Sequence, residues 1–360
     1  TRFSPSRISR SKNRVAVLVR SNDEGDAQSR LQSIVRFWEG RLGRQLPTPI
    51  CLEGDTTREF FGLNQRDRYW VRANCDTLMH NAASVAFGRG NVPGVTWENN
   101  VASAGRVVEV CRLGKIEHLA YVSTAYVSGE YQRTFFEDDL DVGQKFRNEY
   151  EHSKFEAERI IRESGVADIQ TVFRPAIVVG DYETGETASY DGFYRAVRFT
   201  NMLASDAVRD ANGMWNHDVR LTLDGRERRN LVNVDWVSEV MTRVIFNRRW
   251  HGRTYHLAPT RPTTMEEIEN ALKTYFRYDG VRFVGRKQLL DGGKSLAERR
   301  FYEYLAEYSD YWHDEPSFDR QNTDAVGALA VDRRVDVDCL IRLIRFAVSD
   351  RFGRKRRRRV

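Results

Sequence analysis

Tyr150 and Lys154 stand four residues apart in a stretch, residues 149–164, whose apolar residues recur at helical spacing, so both side chains share one helix face. The spacing alone is common, and a surface tyrosine beside an ordinary helix lysine would produce it. Position adds weight, because Ser123 and Thr124 close the apolar run His118–Ser123 and present a hydroxyl where a strand ends. A tyrosine titrates near pH ~10 and is a poor acid or base at neutral pH. A neighbouring ammonium and a positively charged nicotinamide both favour the phenolate and bring the group toward working range. Thr124 would hold the oxygen of a carbonyl substrate and Tyr150 would exchange the proton, a constellation suited to hydride transfer from a nicotinamide cofactor. His80 ends another apolar run beside Asn81. No second histidine, cysteine or aspartate stands at metal-ligand spacing from it, so a structural role is expected and no metal site is predicted.

Positioning these side chains falls to alternating strands and helices. Val15–Val19, Ile50–Leu52, Thr77–His80, His118–Ser123 and Thr171–Phe173 are short apolar runs of the kind buried on both faces of a parallel sheet. Residues 26–42, the stretch around Val107–Cys111, and residues 149–164 read as helices between them. The alternation predicts an α/β fold, a Rossmann-like doubly wound parallel sheet, with ligands held beyond the carboxyl ends of its strands. After about residue 180 the alternation decays. Residues 182–230 are rich in Gly, Asp, Arg and Thr around one helical stretch, 192–204. Leu231–Val234 and Thr254–Leu257 read as further strands, and residues 264–277 and 333–349 as helices. The expected organisation is an altered N-terminus over 1–14, a dinucleotide-binding domain over 15–180 and a basic tail over 351–360. Between the last two lies a smaller mixed substrate-binding region, 181–350, whose strands and helices return to the sheet.

The formal net charge of +6 over 360 residues is unevenly placed. Six basic residues fall within 1–20 and seven within 351–360, with no acidic residue in either stretch. That leaves 44 basic against 51 acidic residues, a net −7, in 21–350, which argues against nucleic acid as a partner. The tail Arg354-Lys355-Arg356-Arg357-Arg358-Arg359 suits a solvated terminus better than peripheral contact with an anionic membrane surface. No run approaches the ~20 apolar residues of a transmembrane helix. Cys51, Cys75, Cys111 and Cys339 have neither metal-ligand nor disulfide-framework spacing, so reduced thiols in a cytoplasmic protein are expected. No secretory signal is visible, and the first residue is Thr1 rather than Met, which leaves room for residues upstream.

Several segments, taken in order, resemble the extended short-chain dehydrogenase/reductase superfamily. They are Gly54-Asp55-Thr56, His80-Asn81-Ala82-Ala83-Ser84-Val85-Ala86-Phe87, Asn100-Val101, Tyr121-Val122-Ser123-Thr124-Ala125-Tyr126-Val127, Tyr150 with Lys154, and Arg174-Pro175-Ala176-Ile177-Val178-Val179-Gly180. His-x-Ala-Ala followed by Val-x-Phe, paired with Val-Ser-Thr, is similar to the fatty acyl-CoA reductase and thioester reductase branch rather than to sugar-nucleotide epimerases. The likeness runs from about residue 15 to 260 and more faintly to 345. It implies that Thr124 takes the place of the catalytic Ser/Thr, Tyr150 is the acid, and Lys154 is the ribose-binding partner that tunes it. It also implies a cofactor cleft with Asp55 and Thr56 near the adenine and with Asn81, Ala82, Ala83 and Asn100 along its length. The backbone amides that follow Pro175, at Ala176 and Ile177, would hold the nicotinamide carboxamide. Arg20 and Ser21 fall after the superfamily's second strand, where an arginine favours a 2′-phosphate, so NADP(H) is preferred over NAD(H).

The resemblance implies an NADPH-dependent reductase of an acyl-CoA or of an acyl group on a carrier protein, yielding an aldehyde or alcohol. Tyr126, Phe193, Tyr194 and Phe199 are candidate linings of an acyl channel. Two alternatives stand beside it: a reductase or epimerase of a ketone or sugar nucleotide, and a non-catalytic dinucleotide-sensing or scaffold homologue. One departure favours the last. The superfamily opens on a strand and a T-G-x-x-G-x-x-G turn whose backbone cradles the pyrophosphate, whereas residues 1–14 hold no glycine and the first is Gly25. The first strand and Gly-rich turn are therefore expected to be missing or degenerate, and cofactor binding to be weak.

Overall fold

The computed structural model describes residues 14–23, 25–85, 94–285, 293–311, 313–326 and 333–354. Parallel strands carry the architecture: Ala16–Val19 (β1), Ile50–Glu53 (β2), Thr77–His80 (β3), His118–Val122 (β4), Ile169–Pro175 (β5) and Thr254–Leu257 (β6). Helices Ala27–Leu42 (α1), Gln65–Asn74 (α2), Ser103–Gly114 (α3) and Glu149–Glu163 (α4) link them. Phe193–Asp206 (α5), Val234–Ile245 (α6), Met265–Phe276 (α7), Leu296–Tyr304 (α8) and Val337–Ser349 (α9) follow.

The sheet is doubly wound, and the reason is legible in β4. Leu119 and Tyr121 pack with Val107 and Cys111 of α3 and Ile161 of α4 on one face. Ala120 and Val122 pack with Val237, Met241 and Val244 of α6 on the other. With both faces covered, the strand reads as a continuous apolar run rather than an alternating one. Among the described residues the sheet comes in two hydrogen-bonded parts, β1 with β2, and β6-β5-β4-β3. All of β4 is buried, whereas β1 is half-buried along its length. The expected loss of a first strand and Gly-rich turn falls on residues 1–14, of which 1–13 lie outside the described residues, as does the tail from Lys355 onward.

A second core forms where α5, α7 and α9 meet, with Phe193, Val197, Trp215, Leu272, Leu340 and Leu343 at its centre. The second half of the chain also gives β6 and α6 back to the sheet. The strand expected at Leu231–Val234 stops at Asn233, because Val234 opens α6, a helix that the sequence reading missed. Its apolar residues Val237, Val240, Met241 and Val244 recur at i, i+3, i+4 and i+7 and could have revealed it. The helix expected from 333 begins at Val337, where Asp336 caps it by accepting from the Cys339 amide at 2.9 Å. Trp215–Leu221 and Tyr278–Phe283, also unread, pair as parallel strands. No helix among the described residues is long and apolar enough to cross a membrane. All four cysteines are free thiols, Cys111 and Cys339 buried, Cys51 and Cys75 half-buried.

Candidate active site

Strand register brings the candidate residues to one edge. His80 lies opposite Tyr121 and Val122 opposite Phe173, so the residues that follow β3, β4 and β5 emerge together at the carboxyl ends. Thr124 caps the turn Ala125–Ser128, accepting from the Tyr126 amide at 3.3 Å and donating to the Pro175 carbonyl at 3.4 Å. On α4, Asn148 caps the helix by accepting from the Glu151 amide at 3.0 Å, which sets Tyr150 in the first turn. The Tyr150 hydroxyl faces Thr124 closely enough for the Thr124 side chain to lower the phenol. Two hydroxyls 26 residues apart in sequence are thus in contact at the sheet edge.

The electrostatics differ from the sequence expectation. Burial pushes the Tyr150 phenol up to about 12, against the lowering effect of the Thr124 bond and with a smaller rise from Glu151. The expected lowering by Lys154 is not present, because that ammonium is taken up elsewhere. Its Nζ donates to the Val122 carbonyl at 2.9 Å and to the Tyr121 hydroxyl at 3.2 Å, 4.8 Å from the Tyr121 ring centre. Burial lowers Lys154 to about 8, opposed by the charge of Glu158. Tyr121 is the residue that sequence reasoning missed as a partner of the site. Its signal was a lone hydroxyl in a buried apolar strand, two residues before Ser123. His80 is sandwiched between Phe61 and Tyr121, with ring centres 6.4 and 5.8 Å away. Burial, with Lys154 adding to it, holds His80 near about 3, so it is neutral.

One turn after Lys154, Glu158 anchors α4 to the sheet. It is fully buried and pairs with the fully buried Arg174 of β5 at 2.7 Å and with Arg162 at 2.8 Å. Arg174 also donates to the Asp139 carbonyl at 2.6 Å and meets His256 Nε2 at 3.1 Å. His256 Nδ1 lies 2.8 Å from the Asp319 carbonyl, so it carries the proton there and Nε2 accepts from Arg174. Burial alone would raise Glu158, but the two arginines outweigh it and bring it to about 2.

The residues expected along the cofactor cleft divide into four groups. Those after β1 and β2 come together: Arg20 is exposed and stands 3.6 Å from Asp55. Ser21 accepts from the Ala27 amide at 3.0 Å and donates to Glu53. Burial raises the Asp55 carboxyl, yet its bonds from the Thr57 amide and hydroxyl, with Arg20 beside it, leave it lowered. Thr56 is half-buried in the same turn. Gly54 is required there, since a Cβ would stand 2.3 Å from the Phe61 carbonyl oxygen. After β3, Asn81 is half-buried and the small residues Ala82 and Ala83 are exposed.

The other two groups are committed elsewhere. Asn100 is 2% exposed and spends its amide within the protein. It accepts from the Ser84 amide at 2.8 Å and donates to the Ser84 carbonyl at 3.1 Å and to Ser153 at 2.9 Å. It therefore ties the loop after β3 to α4, where cofactor contact was expected. The Ala176 amide donates to the Leu257 carbonyl at 3.1 Å and the Ile177 amide to the Asn230 carbonyl at 3.0 Å. Neither amide after Pro175 is left for a carboxamide, because strand pairing continues past the end of β5. Of the channel candidates, Phe193 and Tyr194 fill the second core, and Phe199 packs on Phe301 and Tyr304. Tyr126 alone adjoins the site.

The sequence matches the Male sterility protein family, an NAD-binding family, over residues 7–241. It is 22% identical over 268 residues to the nonribosomal peptide synthetase asaC of Aspergillus flavus, covering 71% of this chain and 24% of that protein. It is 29% identical over 119 residues to a Drosophila melanogaster protein that carries a fatty acyl-CoA reductase name, covering 31% of this chain and 23% of that one. The chain thus spans about a quarter of the length of these curated relatives. The fold is shared with the terminal R domain of the myxalamid PKS-NRPS pathway, with a TM-score of 0.73 at 20% identity over 97% of this chain and 87% of that one.

Proposed function

The chain belongs to the Male sterility protein family of NAD-binding domains, and we propose that it uses NADPH to reduce an acyl group held as a thioester, on coenzyme A or on a carrier protein. The observation that carries this reading is the contact of Thr124 with Tyr150 at the carboxyl edge of the sheet, with Lys154 on the same helix face. The thioester class is supported by relatives named as a fatty acyl-CoA reductase and a peptide synthetase, and by the likeness to a terminal R domain.

The residues at the outer end of the cleft fit a dinucleotide. Arg20, with 67% of its side chain exposed and only a 3.6 Å contact to Asp55, is available to a 2′-phosphate. Ala82 and Ala83 leave room for close approach. Bound there, the cofactor supplies the hydride. In this reading Thr124 and Tyr150 both donate to the carbonyl oxygen of the thioester. A phenol held at about 12 stays protonated at neutral pH, which suits a proton donor to that oxygen better than a base. Lys154 keeps its bond to Tyr121 and turns from the Val122 carbonyl to a ribose hydroxyl. Release of the thiol then leaves an aldehyde, which a second reduction converts to the alcohol.

Titration with NADPH and separately with NADH, followed by nucleotide fluorescence, tests the cofactor. Saturable binding that prefers NADPH is the expected result. NADPH consumption with acyl-CoA or acyl-pantetheine then tests the substrate, and Tyr150→Phe should bind nucleotide while losing turnover about 100-fold. A folded sample that binds neither nucleotide, or that reduces ketones but no thioester, overturns the proposal.

A further inference from the structure

We propose that Arg229 and Glu315 form a recognition site for a substrate amide beside the Thr124–Tyr150 contact; this rests on the thioester-reductase reading and adds a substrate group to it. Residues 228–230 and 313–317 run side by side. Arg229 Nη1 donates to the Arg228 and His313 carbonyls at 2.7 and 2.9 Å. The Asn230 amide and Nδ2 donate to Glu315 Oε2 at 2.7 and 2.9 Å. Tyr126, whose amide donates to Thr124 Oγ1, gives its hydroxyl to the same Oε2 at 2.7 Å. One residue therefore joins this cluster to the candidate active site.

Glu315 is left half-satisfied, and Arg229 has donors to spare. Glu315 is 4% exposed, and while Oε2 takes three donors, Oε1 is buried with no partner among the described residues. Arg229 is 8% exposed and hydrogen-bonds only through Nη1, to carbonyls, with no carboxylate in ion-pair range among the described residues. A buried carboxylate oxygen without a donor is costly, whereas Arg229 keeps donors beyond Nη1 for a ligand. A ligand offering an acceptor and a donor side by side meets both. An amide does this, its carbonyl accepting from Arg229 and its N–H donating to Glu315 Oε1, whereas a plain hydrocarbon chain does neither. Acyl thioesters of coenzyme A and of carrier proteins hang from a pantetheine arm that contains amides, and an acyl group can carry one of its own.

Glu315→Gln isolates the free oxygen, because glutamine keeps one acceptor for Asn230 and Tyr126 but places an NH2 where Oε1 stood. Binding of three unreactive thioethers to wild type, Glu315→Gln and Arg229→Lys is measured by calorimetry. The probes are S-butylpantetheine, a butyl sulfide with no amide, and a sulfide with one amide on the acyl side. The expected result is binding of an amide probe about tenfold tighter by wild type than by either variant, with no difference for the amide-free sulfide. Whichever amide probe shows the difference identifies the part of the substrate that is read. Unchanged melting and nucleotide binding control for folding, and Arg229→Lys carries the comparison alone if Glu315→Gln does not fold. Equal binding by all three proteins overturns the site and leaves water as its occupant. Amide discrimination without thioester reduction keeps the site and discards the reductase reading, whereas reduction indifferent to amides and to Glu315→Gln does the reverse.

Discussion

Replacing Lys154 by methionine should change stability by an amount that depends on pH. The lysine is 2% exposed, and burial lowers it from 10.5 to about 8. Below pH 8 it is charged in both states, and the folded protein carries the whole cost of that burial. Above the unfolded value of 10.5 it is neutral in both and the cost is gone. Lowering a pKa by one costs the charged form ~1.4 kcal/mol, so the burial of this ammonium costs about 3 kcal/mol. The unfolded state binds more protons between these limits, so wild-type stability rises with pH across that window relative to a neutral variant. Methionine removes the charge but strands the Tyr121 hydroxyl and the Val122 carbonyl, for a loss of about 1–3 kcal/mol. Lys154→Met should therefore be close to wild type at about pH 7 and less stable by about 2–3 kcal/mol at about pH 10. Paired urea denaturations at the two pH values measure the difference, in which every other titrating group cancels. A gap that is the same at both pH values, or that moves in the variant's favour as pH rises, would falsify the reasoning.

Three other outcomes follow from the same structure. Glu158→Gln leaves Arg174 buried without its carboxylate and should cost about 3–5 kcal/mol in chemical denaturation. Because Glu158 is held near about 2, its contribution is present above pH 4.5 and fades as pH falls toward 2; a gap that persists there contradicts the assignment. Gly54→Ala drives a Cβ against the Phe61 carbonyl oxygen and the Leu18 side chain, so a loss of about 1–3 kcal/mol is expected, and unchanged denaturation would refute the fit. Arg20→Ala should weaken NADPH about tenfold and leave NADH unchanged in a fluorescence titration, and an equal effect on both would remove Arg20 from the 2′-phosphate role.

What the sequence revealed and what it concealed divide along a physical line. Apolar periodicity reports which face of an element is buried, so β3, β4 and β5 and the shared face of Tyr150 and Lys154 could be read without coordinates. The partner a polar side chain takes on that face is decided by competition among groups from other elements, and periodicity carries no record of it. Lys154 had Tyr150 four residues away and instead took a hydroxyl and a carbonyl 33 and 32 residues upstream, because β4 runs directly beneath α4. Asn100 met the same fate across 53 residues, at Ser153. The amides of Ala176 and Ile177 were lost to strand pairing that extends past Pro175, a residue type that ordinarily interrupts a ladder.

Those partners also bear on the reduction proposed above. With Lys154 held by Tyr121, no group among the described residues lowers Tyr150 enough to offset its burial, and the phenol remains an acid at neutral pH. An oxidative reaction needs the phenolate as a base, whereas the reduction proposed above needs a proton for the carbonyl oxygen, and the protonated phenol suits the second. Tyr121→Phe removes the hydroxyl that Lys154 holds and frees the ammonium to approach Tyr150. The pH limit of reduction at its alkaline side should therefore fall by about one unit or more relative to wild type, at unchanged nucleotide affinity. An unaltered pH profile would mean that Tyr121 only fills space and that the packing around Lys154 does not set the charge of Tyr150.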